Sequence, residues 1–167
     1  MQISIVLVRP QLPENIGMAA RAMQNCGLKK LIIVSPREKF PNQKAIDASA
    51  KANNIIKNAK VFDSLDKSIE NHHYIIATTS RKRFLKKPHE KDFDKLFSKI
   101  PINKKIAIVF GPERSGLSNE DLMLCDCLFS IPISNDNESI NLSHSVFLMS
   151  YKFQENLKKF NKRNFKK

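Results

Sequence analysis

Glycine is scarce in this chain, four residues in 167, and tryptophan is absent. No G-x-G-x-x-G follows the first apolar run and no G-x-x-x-x-G-K-[ST] occurs anywhere, which excludes a dinucleotide-binding Rossmann domain and a P-loop NTPase. No G-x-S-x-G elbow is present, and Glu113-Arg114-Ser115-Gly116 does not supply one. Cys26, Cys125 and Cys127 are odd in number and lack disulfide-framework spacing. Cys125-Asp126-Cys127 has no second pair to complete a zinc site, so free thiols in a reducing cytoplasm and no metal are expected. His72-His73 reads as a surface feature, and His89 and His144 stand alone. No apolar run approaches the ~20 residues that span a membrane. Met1-Gln2-Ile3-Ser4 lacks the basic start of a signal peptide.

Positive charge is abundant instead. Lys and Arg number 29 against 16 acids, a net charge of +13 and a pI near 9.8. A polyanionic partner, most simply nucleic acid, fits that excess; a solvated lysine-rich surface is the alternative. Arg81–Lys87 holds five bases and no acid, and Lys158–Lys167 holds six and no acid. Neither cluster carries a strong apolar face, which disfavours a membrane-surface role.

Apolar runs at Ile3–Val8, Leu31–Val34, Lys60–Phe62, Tyr74–Thr78, Ile106–Phe110 and Cys127–Ile131 read as strands. Between them, helices are expected over Asn15–Asn25, with Asn15 as N-cap and Gly27 beyond its end, and over about Gln43–Asn58. Further helices are expected over Ser64–Glu70, Asn119–Leu124 and Leu142 to about Lys159. This alternation predicts a single α/β domain with a mostly parallel sheet covered by helices on both faces. Its ligands would bind beyond the carboxyl ends of the strands, in the loops at Arg9–Asn15, Thr79–Arg83, Gly111–Leu117 and Ile131–Ser143.

Those loops carry the informative polar residues. Two of the four glycines, Gly111 and Gly116, sit directly after an apolar strand, where backbone turns sharply or approaches a ligand closely. Arg21 interrupts the small apolar run Met18–Met23. It either meets an anion or pairs with Glu113.

Taken together, these segments resemble the SpoU/TrmH family of SPOUT RNA methyltransferases. Asn15-Ile16-Gly17-Met18-Ala19-Ala20-Arg21-Ala22 resembles the family's first motif, Ile108 through Leu117 its second, and Ile131-Pro132-Ile133 with Ser139 through Val146 its third. The likeness runs from Ile3 to about Phe153. Ala59–Leu65 and Ala77–Arg81 look most like the TrmJ subgroup, while the length resembles the minimal TrmL-type enzymes.

The resemblance implies a methyltransferase domain over 1–157, a basic tail over 158–167, and a C-terminal deep trefoil knot. It implies transfer of methyl from S-adenosylmethionine to a ribose 2′-hydroxyl, in the tRNA anticodon loop at position 32 or 34. Ribosomal RNA as substrate, or a non-catalytic RNA-binding member, are the alternatives. Arg21 matches the family's catalytic arginine, with Asn15, Glu113, Ser139 and Asn141 orienting it and the substrate. Thr79, Ser80, Arg81, Gly111, Ile131, Ser139, Ile140 and Leu142 would line the cofactor site. Arg9, Arg81, Lys82, Arg83, Arg114, Lys158 and Lys159 would contact RNA. A homodimer is implied, and Val146, Met149, Phe153 and Leu157 on the last helix fit either its interface or an internal core.

Overall fold

A computed structural model describes residues 1–80, 85–101, 103–134 and 140–164, with side chains as far as 159. Seven strands form one sheet: β1 (Gln2–Val8), β2 (Lys30–Val34), β3 (Lys60–Phe62), β4 (Tyr74–Thr78), β5 (His89–Glu90), β6 (Lys105–Phe110) and β7 (Cys127–Phe129). Their order is β3-β2-β1-β6-β4-β7-β5, and every neighbouring pair is parallel.

The central strands are apolar on both sides because helices cover both. Ile3, Ile5 and Leu7 of β1 and Ile106, Ile108 and Phe110 of β6 face one core layer. That layer is closed by α1 (Pro13–Asn25), α3 (Asn53–Lys57), α5 (Phe93–Lys99) and α7 (Leu142–Asn164). Val6, Val8, Ala107 and Val109 face the other, closed by α4 (Leu65–Ile69) and α6 (Asn119–Met123). Between α1 and α3 lies α2 (Gln43–Ser49), which packs on α1. A Cβ at Gly17 would lie 2.3 Å from Ala45 O, so this glycine sets how closely the two helices approach.

Several expectations change. The helix expected over 43–58 is broken: Ala50 takes φ 50°, and a 3₁₀ turn over Ala50–Ala52 separates α2 from α3. Asn15 is not an N-cap, because α1 begins at Pro13, whose missing N–H suits the first helical position. The end of α1 is as expected: Gly27 at φ 75° donates to Gln24 O, and Leu28 N–H donates to Met23 O. The last strand stops at Phe129, short of Ile131. β5 and α5 have no counterpart in the sequence reading. α7 continues through 158–164 without a break.

The stripe on α7 is an internal core, not an interface. Val146, Met149 and Phe153 are fully buried, and Leu157 packs against the same layer. His72 is half-buried rather than a surface residue: its Nε2 lies 2.9 Å from Ser4 Oγ, and burial, more than any neighbouring charge, pushes its pKa down.

Candidate active site

Strands β6, β4 and β7 are neighbours, so the loops leaving Phe110, Thr78 and Phe129 emerge side by side at the carboxyl edge. They are tied to one another. Thr79 N–H donates to Phe129 O at 3.0 Å, and Thr78 Oγ1 donates to Val109 O at 3.0 Å. Ser130 Oγ donates to Thr79 O at 2.7 Å and lies 2.8 Å from His89 Nε2. A carbonyl only accepts, so the Ser130 hydroxyl proton points at Thr79 and His89 Nε2 is the donor to Ser130. Burial first, then the Lys91 charge, lowers the His89 pKa and favours this neutral ring. The sequence reading left His89 and Ser130 unassigned, and nothing local marks either of them.

The second motif forms a loop closed on itself. A Cβ at Gly111 would lie 2.3 Å from Leu117 N and 2.5 Å from Gly116 C. The loop's own backbone therefore leaves no room for a side chain at this position. Gly116 sits at φ 68°, the left-handed region that glycine adopts at least cost.

Glu113 projects from this loop to the segment after β1. Its carboxylate accepts from Gln11 N–H at 2.8 Å, from Leu12 N–H at 3.3 Å and from Asn15 Nδ2 at 2.8 Å. Charge-assisted bonds of this kind are about twice as strong as neutral ones. Asn15, buried in the first turn of α1, thus serves as Glu113's partner. The Arg21–Glu113 pair does not form. Arg21 lies on the exposed face of α1, about 9 Å further along the helix axis than Asn15. Among the described residues no carboxylate lies within 4.0 Å of it.

Arg9 leaves β1 in a left-handed conformation, φ 48°, and its guanidinium forks onto Asp121 of α6. Burial raises the Asp121 pKa, but the Arg9 and Ser118 hydrogen bonds outweigh it and hold the carboxyl below its usual range. Arg9 stays 43% exposed, so one side of it remains open to solvent.

Asn141 caps α7: its Oδ1 accepts from Ser143 N–H at 2.9 Å and Ser143 Oγ at 2.7 Å. Leu142 is buried in the core layer under α7, and Ile131 and Ile140 are half-exposed. Ser80 and Arg114 are exposed. Lys158 is exposed near the far end of α7, and Lys159 pairs with Glu155 at 3.3 Å. Lys87, from the expected basic cluster, donates instead to Met123 O and Cys125 O at the end of α6. Arg81, Lys82, Arg83 and Ser139 lie outside the described residues. Among the described residues no group of three or more His, Cys, Asp or Glu could hold a metal, and no helix is long and apolar enough to cross a membrane.

Adjacent strand ends bring backbone polar groups together, and Ile131, just after β7, adds half-exposed apolar surface, a combination that small-molecule sites use.

Known proteins resemble this chain over most of its length. A Haemophilus influenzae protein described as an uncharacterized tRNA/rRNA methyltransferase is 40% identical over 152 residues, 91% of this chain. The tRNA (cytidine/uridine-2′-O-)-methyltransferase TrmJ of Pectobacterium atrosepticum is 36% identical over 151 residues, 89% of this chain. This chain spans 62% of the length of each of those two relatives. The crystal structure of TrmJ from Z. mobilis superimposes with a TM-score of 0.86 at 36% identity, over 93% of this chain and 70% of that one. The model of the SpoU rRNA methylase family matches residues 2–151, a span that takes in all three loops and the carboxylate that ties one of them to the segment after β1. By that match the chain belongs to the SpoU rRNA methylase family.

Proposed function

We propose that this chain catalyses S-adenosylmethionine-dependent methylation of a ribose 2′-hydroxyl in tRNA, at position 32 or 34 of the anticodon loop. One observation carries the reading: Glu113 ties the second-motif loop to the segment holding Asn15, while the other two loops meet at the same sheet edge. The relatives named TrmJ act on tRNA 2′-hydroxyls, and they match this chain over about nine-tenths of its length.

In this reading Thr79, Ser80, Arg81, Gly111, Ile131, Ser139, Ile140 and Leu142 surround the cofactor. When bound, it supplies an electrophilic methyl group. The work left to the chain is alignment of the hydroxyl and stabilisation of the charge developing on its oxygen. Arg21 is the candidate for that role. A guanidinium stays protonated, so it acts by hydrogen bonding and charge and does not take the proton.

Arg21 stands away from Glu113 within one chain, which fits a site shared by two copies. Met18 on α1 (39% exposed) and Phe147, Leu148 and Tyr151 on α7 (41%, 36% and 53%) form an exposed apolar face suited to a homodimer. The Phe147 and Tyr151 rings stack with centroids 6.1 Å apart. Arg9, Lys82, Arg83, Arg114, Lys158 and Lys159 would contact RNA around this assembly. A deep trefoil knot is the proposed path of the C-terminal segment. Its support is that β7 lies between β4 and β5, with Ser130 bonded to both Thr79 and Glu90. The domain is read as 1–157 with a basic extension over 158–167. Three buried free thiols suit a reducing cytoplasm.

The test is methylation of total tRNA with labelled cofactor, followed by nuclease mapping of the product. Transfer at position 32 or 34 is expected, with Arg21→Ala lowering turnover about a hundredfold and cofactor affinity unchanged. Full turnover in Arg21→Ala would refute its catalytic role. Label confined to ribosomal RNA would refute the substrate.

A further inference from the structure

Apart from Lys158, the opposite edge of the sheet carries charge that the proposed function leaves unassigned. β1 lies between β2 and β6, and its amino end is bracketed by two lysine pairs, Lys29-Lys30 and Lys104-Lys105. Lys30 is in register with Ser4, and Lys105 with Gln2. Two strand spacings put the pairs about 10 Å apart.

Backbone hydrogen bonds hold them there. Gln2 N–H donates to Lys104 O at 3.1 Å, and His73 N–H donates to Lys105 O at 2.8 Å. All four side chains are exposed, and among the described residues none reaches a carboxylate within 4.0 Å. Half-buried His72 lies near them: the charges of Lys105 and Lys30 add to burial in lowering its pKa.

The far end of α7 reaches the same edge. A Cβ at Gly27, just before Lys29, would lie 3.7 Å from Gln154 Nε2. Lys158 is one turn further along α7, about 6 Å beyond Gln154 and on the same side of the helix. Pairing strand ends with like charge is electrostatically unfavourable unless a polyanion neutralises them.

We propose that the amino edge of the sheet, built on Lys29, Lys30, Lys104, Lys105 and Lys158, is a second docking face that binds the phosphate backbone of RNA. It is separate from the cofactor site by the length of the strands. The face rests on the reading of the substrate as tRNA and adds where the body of that substrate is gripped. Four of its five lysines flank strand ends, without the apolar helix face that a membrane-binding surface carries.

The test reverses charge in Lys29→Glu, Lys30→Glu, Lys104→Glu and Lys105→Glu together, with a parallel Lys→Gln set at the same positions. Binding of purified tRNA is measured between 50 and 200 mM salt, alongside S-adenosylmethionine affinity and the thermal midpoint. The reversal should weaken tRNA binding at least about tenfold and flatten the salt slope by about three to four, one per lost phosphate contact. Cofactor affinity should not change, and the Gln set should show a smaller loss in the same direction. If the reversed chain fails to fold, the Gln set carries the test. Unchanged affinity and slope in the variants would overturn the face and leave the catalytic reading intact. No tRNA binding by the unaltered protein would overturn both. Loss of binding to phosphatidylserine vesicles with tRNA binding retained would overturn it in favour of a membrane.

Discussion

The two edges of the sheet are made by the same strands and treat polar side chains in opposite ways. At the carboxyl edge Glu113, Asn15, Asp121, Ser130 and Asn141 each hold a protein partner. At the amino edge Lys29, Lys30, Lys104 and Lys105 stand in solvent, and among the described residues no carboxylate is in range. Paired polar groups fix a shape before any ligand arrives, which is what alignment of a reacting hydroxyl demands. Solvated lysines fix little shape, but they attract a polyanion from a distance and tolerate many geometries. One edge suits chemistry and the other suits capture.

The largest effect that could break this comparison is expected at Gly111→Ala. The added Cβ would press on Leu117 N and Gly116 C, both backbone, so no flexible side chain can yield. A loss of about 3 kcal/mol is expected, seen as a fall of about 6–12 °C in the thermal midpoint. An unchanged midpoint would show that the carboxyl edge is softer than its contacts suggest.

A smaller effect belongs to Glu113→Ala, which strips the acceptor from two backbone N–H groups and the buried Asn15 amide. About 2 kcal/mol of stability should go, with turnover falling as the loops separate. Glu113→Gln keeps one acceptor oxygen and should recover part of both. Equal losses in the two variants would show that the full carboxylate, not shape or a single acceptor oxygen, is the residue's contribution.

The smallest effect probes the amino edge through His72. Burial, reinforced by Lys105, Lys30 and His73, lowers its pKa in the folded state. The unfolded chain then binds more protons as pH falls below about 6.5, so stability drops from there down to the depressed folded value. Acid melts of His72→Gln should be flatter across that window. Neutralising Lys30 and Lys105 should narrow the window, because the repulsion on the protonated ring is relieved. A window of unchanged width would show that the lysines exert no field at His72.

Legibility in the sequence followed the range of the interactions. Continuous apolar runs gave away β1, β2, β4 and β6, because burial on both faces needs no partner to be recognised. β5 is two residues with no apolar signal, and it exists only because β7 lies beside it. α5 was within reach: Asp92 caps it, and Phe93 and Phe97 stand one turn apart. Pro13 likewise marked the true start of α1 and was outweighed by the capping preference of Asn15. The motif loops could be placed by resemblance, but not their wiring. Glu113 finds its partners about a hundred positions away, and the Ser130–His89–Thr79 chain joins two separate loops to β5. No local pattern encodes such choices.

Glu113 has one consequence for how ligands communicate. Its carboxylate holds the backbone of residues 11 and 12 and the side chain of Asn15 while belonging to the loop beside the proposed cofactor site. A ligand that shifts either segment must carry the other along or break those bonds. Under the proposed function, any effect of cofactor on RNA binding carried through these bonds would be matched by an equal effect of RNA on cofactor binding, with Glu113 as the coupling element.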